Sequence, residues 1–156
     1  MTFLERMMKM KTYIAYGSNM DEEQMAVRCP GARLLGKGVL KDYRLMFKGS
    51  KTGSYATIEP EQGSEVPILY WQITASDERM LDRYEGCPDF YYKTEVSFKT
   101  EKGRSRKGMI YIMHEHRSLG CPSVHYYGIL ADAYDKFGFD ISILEEALRY
   151  SIRVAD

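Results

Sequence analysis

Thr12-Tyr-Ile-Ala-Tyr-Gly-Ser-Asn-Met20 passes from a strand pattern into the start of a helix through a single glycine. Its first five residues are mostly β-branched or aromatic, which predicts a strand over 12–16. Gly17 ends that strand. Asn19, with Glu22 three residues later, predicts a capped helix after the turn. The segment therefore predicts a strand–turn–helix unit, and the other elements are placed around it.

Strand and helix patterns alternate along the rest of the chain. Further strands are predicted over 39–47, 55–59, 66–74, 94–99 and 109–114. Helices are predicted from Ser76 to a stop at Gly86, from Ser123 to Phe137, and from Ser142 onward. About six strands with about four helices predict an α+β fold, whose small mixed sheet curls into an open barrel to hide its edges. Residues 1–11 are predicted to be a polar lead-in, and residues 12–156 a single domain.

The composition argues against several classes of function. The chain has 156 residues, a length that suits one domain, and its 22 Lys and Arg balance 22 Asp and Glu. Without a positive excess, no general attraction to nucleic acid or to an acidic membrane is expected. No apolar run reaches the roughly 18 residues of a membrane span. Three cysteines without a Cys-x-x-Cys pair favour a cytoplasmic protein with free thiols. The oligomeric state is left open.

The turn at Gly17 has the chemistry of an anion-binding site. The first backbone N–H groups of a helix lack partners inside the helix and lie at the positive end of its dipole. Gly17 lets a ligand approach the backbone closely. Asp21, Glu22 and Glu23 already place negative charge on this turn, which argues against a strongly charged ligand. A small carboxylate could bind here, and a capped helix after a tight turn is the structural alternative.

Leu81-Asp-Arg-Tyr-Glu-Gly86 places a glutamate in the last turn of a predicted helix. The negative end of the helix dipole disfavours a carboxylate there, so we expect a raised pKa for Glu85, and burial would raise it further. A glutamate with a raised pKa suits a general base or proton shuttle near neutral pH. The alternative is a solvated glutamate within an acidic series that also holds Asp77, Glu78 and Asp82.

In combination, these segments resemble the γ-glutamylcyclotransferase family. The elements that carry the resemblance follow the family's order: Tyr16-Gly-Ser-Asn19 after a strand, Leu81-Asp-x-x-Glu-Gly86, a tyrosine a few residues later, and Pro122-Ser-Val-His-Tyr126. The family's tyrosine lies seven residues after its glutamate, which favours Tyr92 over Tyr91. A further family tyrosine lies on a strand, where Tyr111 would match. The resemblance covers the chain from about Thr12 to Gly138.

The resemblance implies a lyase or acyltransferase that cyclises a γ-glutamyl amide to 5-oxoproline and releases an amine. No metal or cofactor is implied, because the substrate's own α-amine is the nucleophile. Glu85 would be the catalytic base, the Gly17 turn would bind the glutamyl part, and tyrosines would form the walls. The substrate-binding residues implied in this way are Tyr16, Gly17, Ser18, Asn19, Met20, Tyr92, Tyr111 and Tyr126.

The identity of the released amine stays open at this stage. Small-molecule γ-glutamyl amino acids and γ-glutamyl amines both fit the resemblance. So does a γ-glutamyl group that protects an aminoglycoside-type metabolite, since some relatives of the family deprotect such antibiotics. The last choice would place the enzyme in antibiotic biosynthesis.

Two alternatives from other function classes are kept. The first is a non-catalytic barrel that uses the same pocket to bind a small molecule or a partner peptide. The second is a metal or thiol site built from His114, His116 and Cys121, although this spacing matches no common zinc pattern.

Overall fold

The computed structural model describes residues 2–50 and 53–155. In chain order the elements are α1 (Phe3–Met8), β1 (Lys11–Ala15), α2 (Glu22–Arg28), β2 (Arg33–Lys48), β3 (Tyr55–Ile73), α3 (Ala75–Glu85), β4 (Tyr91–Thr100), β5 (Ser105–Met113), α4 (Val124–Phe137) and α5 (Ile141–Ala155). The strands form a closed barrel in the order β1-β3-β2-β4-β5. All neighbouring pairs are antiparallel except β1 and β5, which close the barrel in parallel. The predicted α+β barrel is confirmed, and its sheet closes fully.

One long hairpin supplies most of the barrel wall. β2 and β3 pair from Lys48 opposite Tyr55 to Arg33 opposite Gln72, with an irregularity after Lys41. The two strands predicted over 55–59 and 66–74 are therefore halves of one bent strand, and the count of six is corrected to five. The polar stretch between the halves bulges without ending the strand, because Gly63 N–H donates to the Asp42 side chain over 2.9 Å.

The core takes buried apolar side chains from every strand. They include Ile14, Phe47, Ile58, Phe98 and Ile110, all at most 2% exposed. α5 packs on the barrel at β2, where the Ser151 hydroxyl accepts the Phe47 N–H over 2.8 Å. Side chains therefore fill the interior of the barrel. A ligand site can form on the loops and helix ends that surround it.

Three predicted helix starts are displaced by neighbouring residues. α5 begins at Ile141, and Asp140 accepts the N–H of Ser142 over 3.0 Å. Asp21, not Asn19, caps α2 by accepting the N–H of Glu23 over 3.0 Å. Thr74, not Ser76, caps α3, in a reciprocal capping box with Asp77. Asp21 is closer to the helical residues and, unlike Asn19, has its side chain free of other partners in the turn. The displacement leaves the Asn19 side chain available for the site.

Helix ends and the first residues complete the description. The predicted stop at Gly86 and the predicted helix end at Phe137 are confirmed. The capping residues Gly86 and Gly138 have positive φ angles of 62° and 71°. The lead-in predicted over 1–11 contains the short helix α1, which Thr2 caps; Met1 lies outside the described residues. Among the residues that the structure describes, no helix has the length and apolar character to cross a membrane.

Candidate active site

A cavity of about 300 Å³ lies between the turn after β1, the end of α3 and the start of α4. Three element ends meet at this cavity: the end of β1 with its turn, the end of α3 at Gly86, and the start of α4. The lining side chains are mostly aromatic, which leaves few charged groups. The lining includes Tyr13, Tyr16, Gly17, Ser18, Asn19, Glu85, Tyr91, Tyr111 and Tyr126.

The turn after β1 is a single 3-10 turn over Ser18–Met20. Its own hydrogen bonds run from the N–H of Met20 to Gly17 O and from the N–H of Asp21 to Ser18 O, both over 3.0 Å. Within residues 2–50 and 53–155, the backbone N–H groups of Gly17, Ser18 and Asn19 have no acceptor. Three successive free donors on a cavity wall are suited to bind a carboxylate or a developing oxyanion.

Met20 differs from its neighbours and corrects the set predicted from the sequence. Its side chain is only 1% exposed and belongs to the hydrophobic core, and its N–H is already bonded to Gly17. Met20 is not part of the cavity lining. Its apolar side chain anchors the turn to the core, so it supports the donors of the turn without being one of them.

Gly17 lies close to the far wall of the cavity. A Cβ atom on this residue would stand 3.1 Å from the Tyr126 hydroxyl oxygen and 3.6 Å from the Ala56 side chain. The φ angle of Gly17 is −122°, outside the left-handed region, and the nearest atom that a side chain here would meet is the Tyr126 hydroxyl oxygen. The absence of a side chain is therefore needed for space in the cavity.

Asn19 links the turn to α3 and β1. Its amide nitrogen donates to the Tyr13 hydroxyl over 2.8 Å and to Oε1 of Glu85 over 3.4 Å. Its oxygen accepts a bond from Nη1 of Arg28. The residue is 3% exposed, so this buried amide uses its oxygen and its nitrogen fully.

Glu85 is the last residue of α3 and is partly buried beside the turn. Burial raises the pKa of its carboxyl from 4.5 to about 7, and the positive charge of Arg28 acts in the opposite direction. The expectation of a raised pKa is borne out, with desolvation as the leading cause. A carboxyl that titrates near 7 can both accept and return a proton at neutral pH.

Three of the predicted tyrosines line the cavity. The Tyr16 hydroxyl donates to Tyr111 O over 2.6 Å, and the Tyr111 hydroxyl donates to Asp82 over 2.6 Å. The Tyr126 hydroxyl instead accepts the Ala56 N–H over 3.1 Å. Burial raises the pKa of all three phenols, so they are neutral hydrogen-bonding groups at physiological pH.

The structure places Tyr91, not Tyr92, in the cavity wall, which corrects the choice made from spacing. Tyr91 is 7% exposed, and its hydroxyl donates to Ala56 O over 2.7 Å. Tyr92 points away from the cavity and donates to Glu115 over 2.5 Å at an exposed position. Successive residues of β4 face opposite sides of the sheet, so only one of the two can be in the site.

Sequence reasoning missed several residues of the site. Tyr13 accepts the Asn19 amide, Tyr84 shares a hydrogen bond of 3.1 Å with Ser18, and Arg28 bonds to Asn19. Tyr55 and Phe90 also line the cavity. Tyr13 carries no local signal, since its odd spacing from Tyr16 would place the two on opposite faces of a regular strand. The others depend on contacts between distant segments.

The alternative metal or thiol site at His114, His116 and Cys121 gains no structural support. The His114 and His116 rings lie 6.0 Å apart, and Nε2 of His114 is within 2.7 Å of Pro88 O. In the part of the chain that the structure describes, no group of three or more His, Cys, Asp or Glu side chains could hold a metal ion. Cys121 is exposed at a distance from the cavity lining.

Comparisons with known proteins agree on one family. Residues 13–129 match the model of the family described as γ-glutamyl cyclotransferase, AIG2-like. Human γ-glutamylcyclotransferase is 31% identical over 142 residues, which cover 86% of this chain and 75% of the human protein. The bovine γ-glutamylcyclotransferase is 32% identical over 126 residues, which cover 76% of this chain and 66% of the bovine protein.

A solved structure described as a γ-glutamyl cyclotransferase superposes on this chain with a TM-score of 0.80. The two are 27% identical, and the superposition covers 88% of this chain and 86% of the other. Sequence, family model and fold thus point the same way. The chain belongs to the γ-glutamyl cyclotransferase, AIG2-like family.

Proposed function

We propose that this chain cyclises a small-molecule γ-glutamyl amide to 5-oxoproline in the cavity described above, with Glu85 as the group that transfers protons. The protein is an enzyme of the γ-glutamylcyclotransferase type. The observation that carries the assignment of the site is the contact between Glu85 and Asn19, because it brings a carboxyl with a pKa of about 7 next to three free backbone donors.

The cyclisation needs a base and a substrate whose amine and carbonyl are held in the right orientation. The α-amine of the γ-glutamyl group attacks its own γ-carbonyl, a C–N bond closes the five-membered ring, and the bond to the departing nitrogen breaks. Glu85 takes a proton from the α-ammonium group and, as the bond breaks, delivers it to the departing nitrogen. The ring nitrogen loses its second proton as it becomes the amide of 5-oxoproline, and solvent or the released amine takes that proton up. Such general acid–base catalysis contributes about 10²–10⁴-fold. Holding amine and carbonyl in contact can lower the barrier by roughly 7–11 kcal/mol.

The turn after β1 is the proposed binding site for the glutamyl part. The N–H groups of Gly17, Ser18 and Asn19 would donate hydrogen bonds to its α-carboxylate, or to the carbonyl oxygen as that oxygen becomes negative. Negative charge on Asp21, Glu22 and Glu23 disfavours a second anionic group nearby, so one carboxylate or one oxyanion is the expected occupant.

The tyrosines differ in what they can offer to the substrate. Tyr16, Tyr91 and Tyr111 already donate their hydroxyl protons to protein oxygens, so they shape the cavity. Tyr126 and Tyr13 accept hydrogen bonds and have no acceptor for their own protons among residues 2–50 and 53–155. These two hydroxyls are therefore the proposed side-chain donors to the substrate.

The departing amine would leave through the aromatic mouth of the cavity. Tyr55, Tyr84 and Phe90 lie on the lining, and Tyr55 and Tyr84 are about half exposed, at 46% and 47%. Flat aromatic side chains can pack against a variety of amines. Amino acids, simple amines and aminoglycoside-type metabolites are therefore all candidates for the released amine, and the assay must include a γ-glutamyl derivative of each class.

The test is product formation from a panel of γ-glutamyl amides, with a chelator present. We expect 5-oxoproline from at least one class of substrate in the wild-type protein, and its loss in Glu85→Gln. The glutamine keeps the shape of the side chain and removes its acid–base function, so substrate binding measured by calorimetry should persist. Absence of product from the whole panel, together with binding of a γ-glutamyl compound, would favour a non-catalytic barrel.

A further inference from the structure

Arg28, the last residue of α2, connects three parts of the site although it is not among the described residues that line the cavity. Its Nη1 donates to Oδ1 of Asn19, and its Nη2 donates to Gln24 over 3.3 Å. Its guanidinium carbon lies 3.3 Å from the centre of the Tyr84 ring. Because Tyr84 directly precedes Glu85, Arg28 ties α2 to the substrate-binding turn and to the end of α3.

The bond from Arg28 determines which way the Asn19 amide faces. A guanidinium group only donates hydrogen bonds, so the Asn19 atom that meets it must be the oxygen. The amide nitrogen is then directed toward the Tyr13 hydroxyl and Oε1 of Glu85. The flipped amide would place an oxygen against the Glu85 carboxyl and an N–H against Arg28. Arg28 therefore ensures that Asn19 presents a donor to Glu85.

Arg28 is also the positive charge that acts on Glu85. Burial raises the pKa of Glu85, and Arg28 lowers it. Arg83 and Tyr84, which precede Glu85 on α3, line the same cavity. Further groups near this carboxyl in the part of the chain that the structure describes are phenols and a thiol whose pKa values burial raises, so they are neutral near pH 7. They are Tyr13, Tyr16, Cys87, Tyr91 and Tyr126. Arg83 and Asp82, on the same helix, are not among the causes of the Glu85 shift.

We propose that Arg28 is a positioning residue for the cyclisation, which holds the Asn19 amide so that its N–H faces Glu85. Its positive charge supports the same role, because it favours the carboxylate form of Glu85. The inference rests on the proposed function, because it assigns Arg28 a role in that reaction. Arg28 is not expected to touch the substrate. Its effect should therefore reach the reaction through the charge state and the hydrogen bonding of Glu85.

Two substitutions separate the charge of Arg28 from its planar shape. Arg28→Gln removes the charge and keeps an N–H for Asn19, whereas Arg28→Lys keeps the charge and loses the planar group that stacks on Tyr84. For each variant, kcat/KM for 5-oxoproline formation is measured from about pH 5 to about pH 9. The titration of Glu85 in the substrate-free protein is followed separately by carboxyl ¹³C NMR. Arg79→Gln, an exposed arginine on α3, is the matched control.

In Arg28→Gln, we expect the acid limb of kcat/KM and the NMR titration of Glu85 to move together to higher pH. Arg28→Lys should keep the wild-type titration and lose activity, on the order of 10²-fold if the Asn19 amide is displaced by about 1 Å. Arg79→Gln should change neither quantity. Thermal unfolding establishes that each variant is folded, and if Arg28→Gln does not fold, Arg28→Lys still tests the positioning role.

Two results would overturn the inference. One is an Arg28→Gln protein whose Glu85 titration and pH profile equal those of the wild type. The other is full activity in Arg28→Lys, which would remove the need for the planar group. Failure of the proposed function is distinct from both: a wild-type protein that forms no 5-oxoproline contradicts the proposed function, while the NMR titration still reports whether Arg28 acts on Glu85.

Discussion

The amide nitrogen of Asn19 lies 3.4 Å from Oε1 of Glu85 and so joins two segments that are 66 residues apart in the chain. Asn19 belongs to the turn that we propose binds the glutamyl group, and Glu85 is the proposed proton-transfer group. In the proposed reaction, a substrate held by the turn would therefore have its amine beside the carboxyl.

The raised pKa of Glu85 predicts a pH-dependent cost to folding. The unfolded chain releases this proton near pH 4.5 and the folded protein near pH 7, so the free energy of unfolding falls as the pH rises between these values. Above pH 7 the full cost is up to about 3 kcal/mol, less whatever water at the cavity mouth screens. Glu85→Gln avoids the cost, so urea unfolding should show it to be more stable than wild type at pH 8.

The same comparison at about pH 3.5 is the internal control, since the side chain at this position is then largely neutral in both proteins, folded and unfolded. Glu95→Gln, at an exposed position, should alter the free energy of unfolding by no more than about 0.5 kcal/mol at either pH. A Glu85→Gln variant that is no more stable than wild type at pH 8 would mean that Glu85 is already ionised without penalty in the folded protein.

Gly17→Ala should impair substrate binding without unfolding the protein. The added Cβ atom would stand 3.1 Å from the Tyr126 hydroxyl and narrow the gap between the turn and the far wall. We expect kcat/KM to fall by about tenfold or more, which corresponds to about 1.4 kcal/mol of lost transition-state stabilisation.

Gly128→Ala is the matched control for that substitution, because a Cβ atom on Gly128 meets nothing within 4 Å. It lies inside α4, where alanine is favoured over glycine by about 0.5–1 kcal/mol, so its melting temperature should rise slightly and its activity should persist. Equal kinetics in Gly17→Ala and Gly128→Ala would contradict the proposed role of the turn.

Tyr91→Phe and Tyr92→Phe compare two adjacent aromatic residues on opposite faces of β4. Tyr91→Phe leaves Ala56 O without its buried donor, which should cost about 1–3 kcal/mol of stability. It should also lower kcat/KM, because Ala56 N–H positions the Tyr126 hydroxyl. Tyr92→Phe removes an exposed contact and should stay within about 0.5 kcal/mol of wild type. If Tyr92→Phe lowered stability and activity more than Tyr91→Phe does, Tyr92 and not Tyr91 would be the tyrosine of the site.

Asn19→Asp should shift the activity to higher pH. The substitution replaces the only asparagine of the chain, removes the N–H donor to Glu85 and adds a negative charge beside it, and both changes disfavour the carboxylate form of Glu85. The acid limb of kcat/KM should therefore move upward relative to wild type. Gln62→Glu adds the same charge at an exposed position and should not move it; a wild-type profile in Asn19→Asp would show that the amide contact is unimportant.

Local patterns in the sequence predicted the elements that carry the two halves of the proposed site, and the resemblance to a known family joined them. The strand that ends at Gly17 and the helix that stops at Gly86 are encoded by neighbouring residues, so the turn and Glu85 could be placed before the fold was known. The sequence allowed the direction of the Glu85 pKa shift to be predicted but not its size, since the burial of Glu85 depends on residues of other elements. The helix dipole alone would have given a smaller effect.

Features that depend on the packing of distant segments were mispredicted or missed. Tyr91 and Tyr92 are both tyrosine, so the sequence does not show which of them faces the cavity. The way β4 is placed in the barrel determines this. Arg28 lies 57 residues before Glu85, and its role emerges only where α2 meets the end of α3. The polar residues between 60 and 65 looked like a break between strands, because a bulge and a turn use the same residue types.

The most direct measurement is the pH dependence of kcat/KM for 5-oxoproline formation, in wild type and in Glu85→Gln, on the best γ-glutamyl substrate. The wild-type value should rise with pH through about 7, because the free enzyme needs Glu85 as a carboxylate to accept the proton. Glu85→Gln should be about 10²–10⁴-fold slower, with no such rise. A variant that keeps the wild-type rate and the wild-type profile would show that another group transfers the proton.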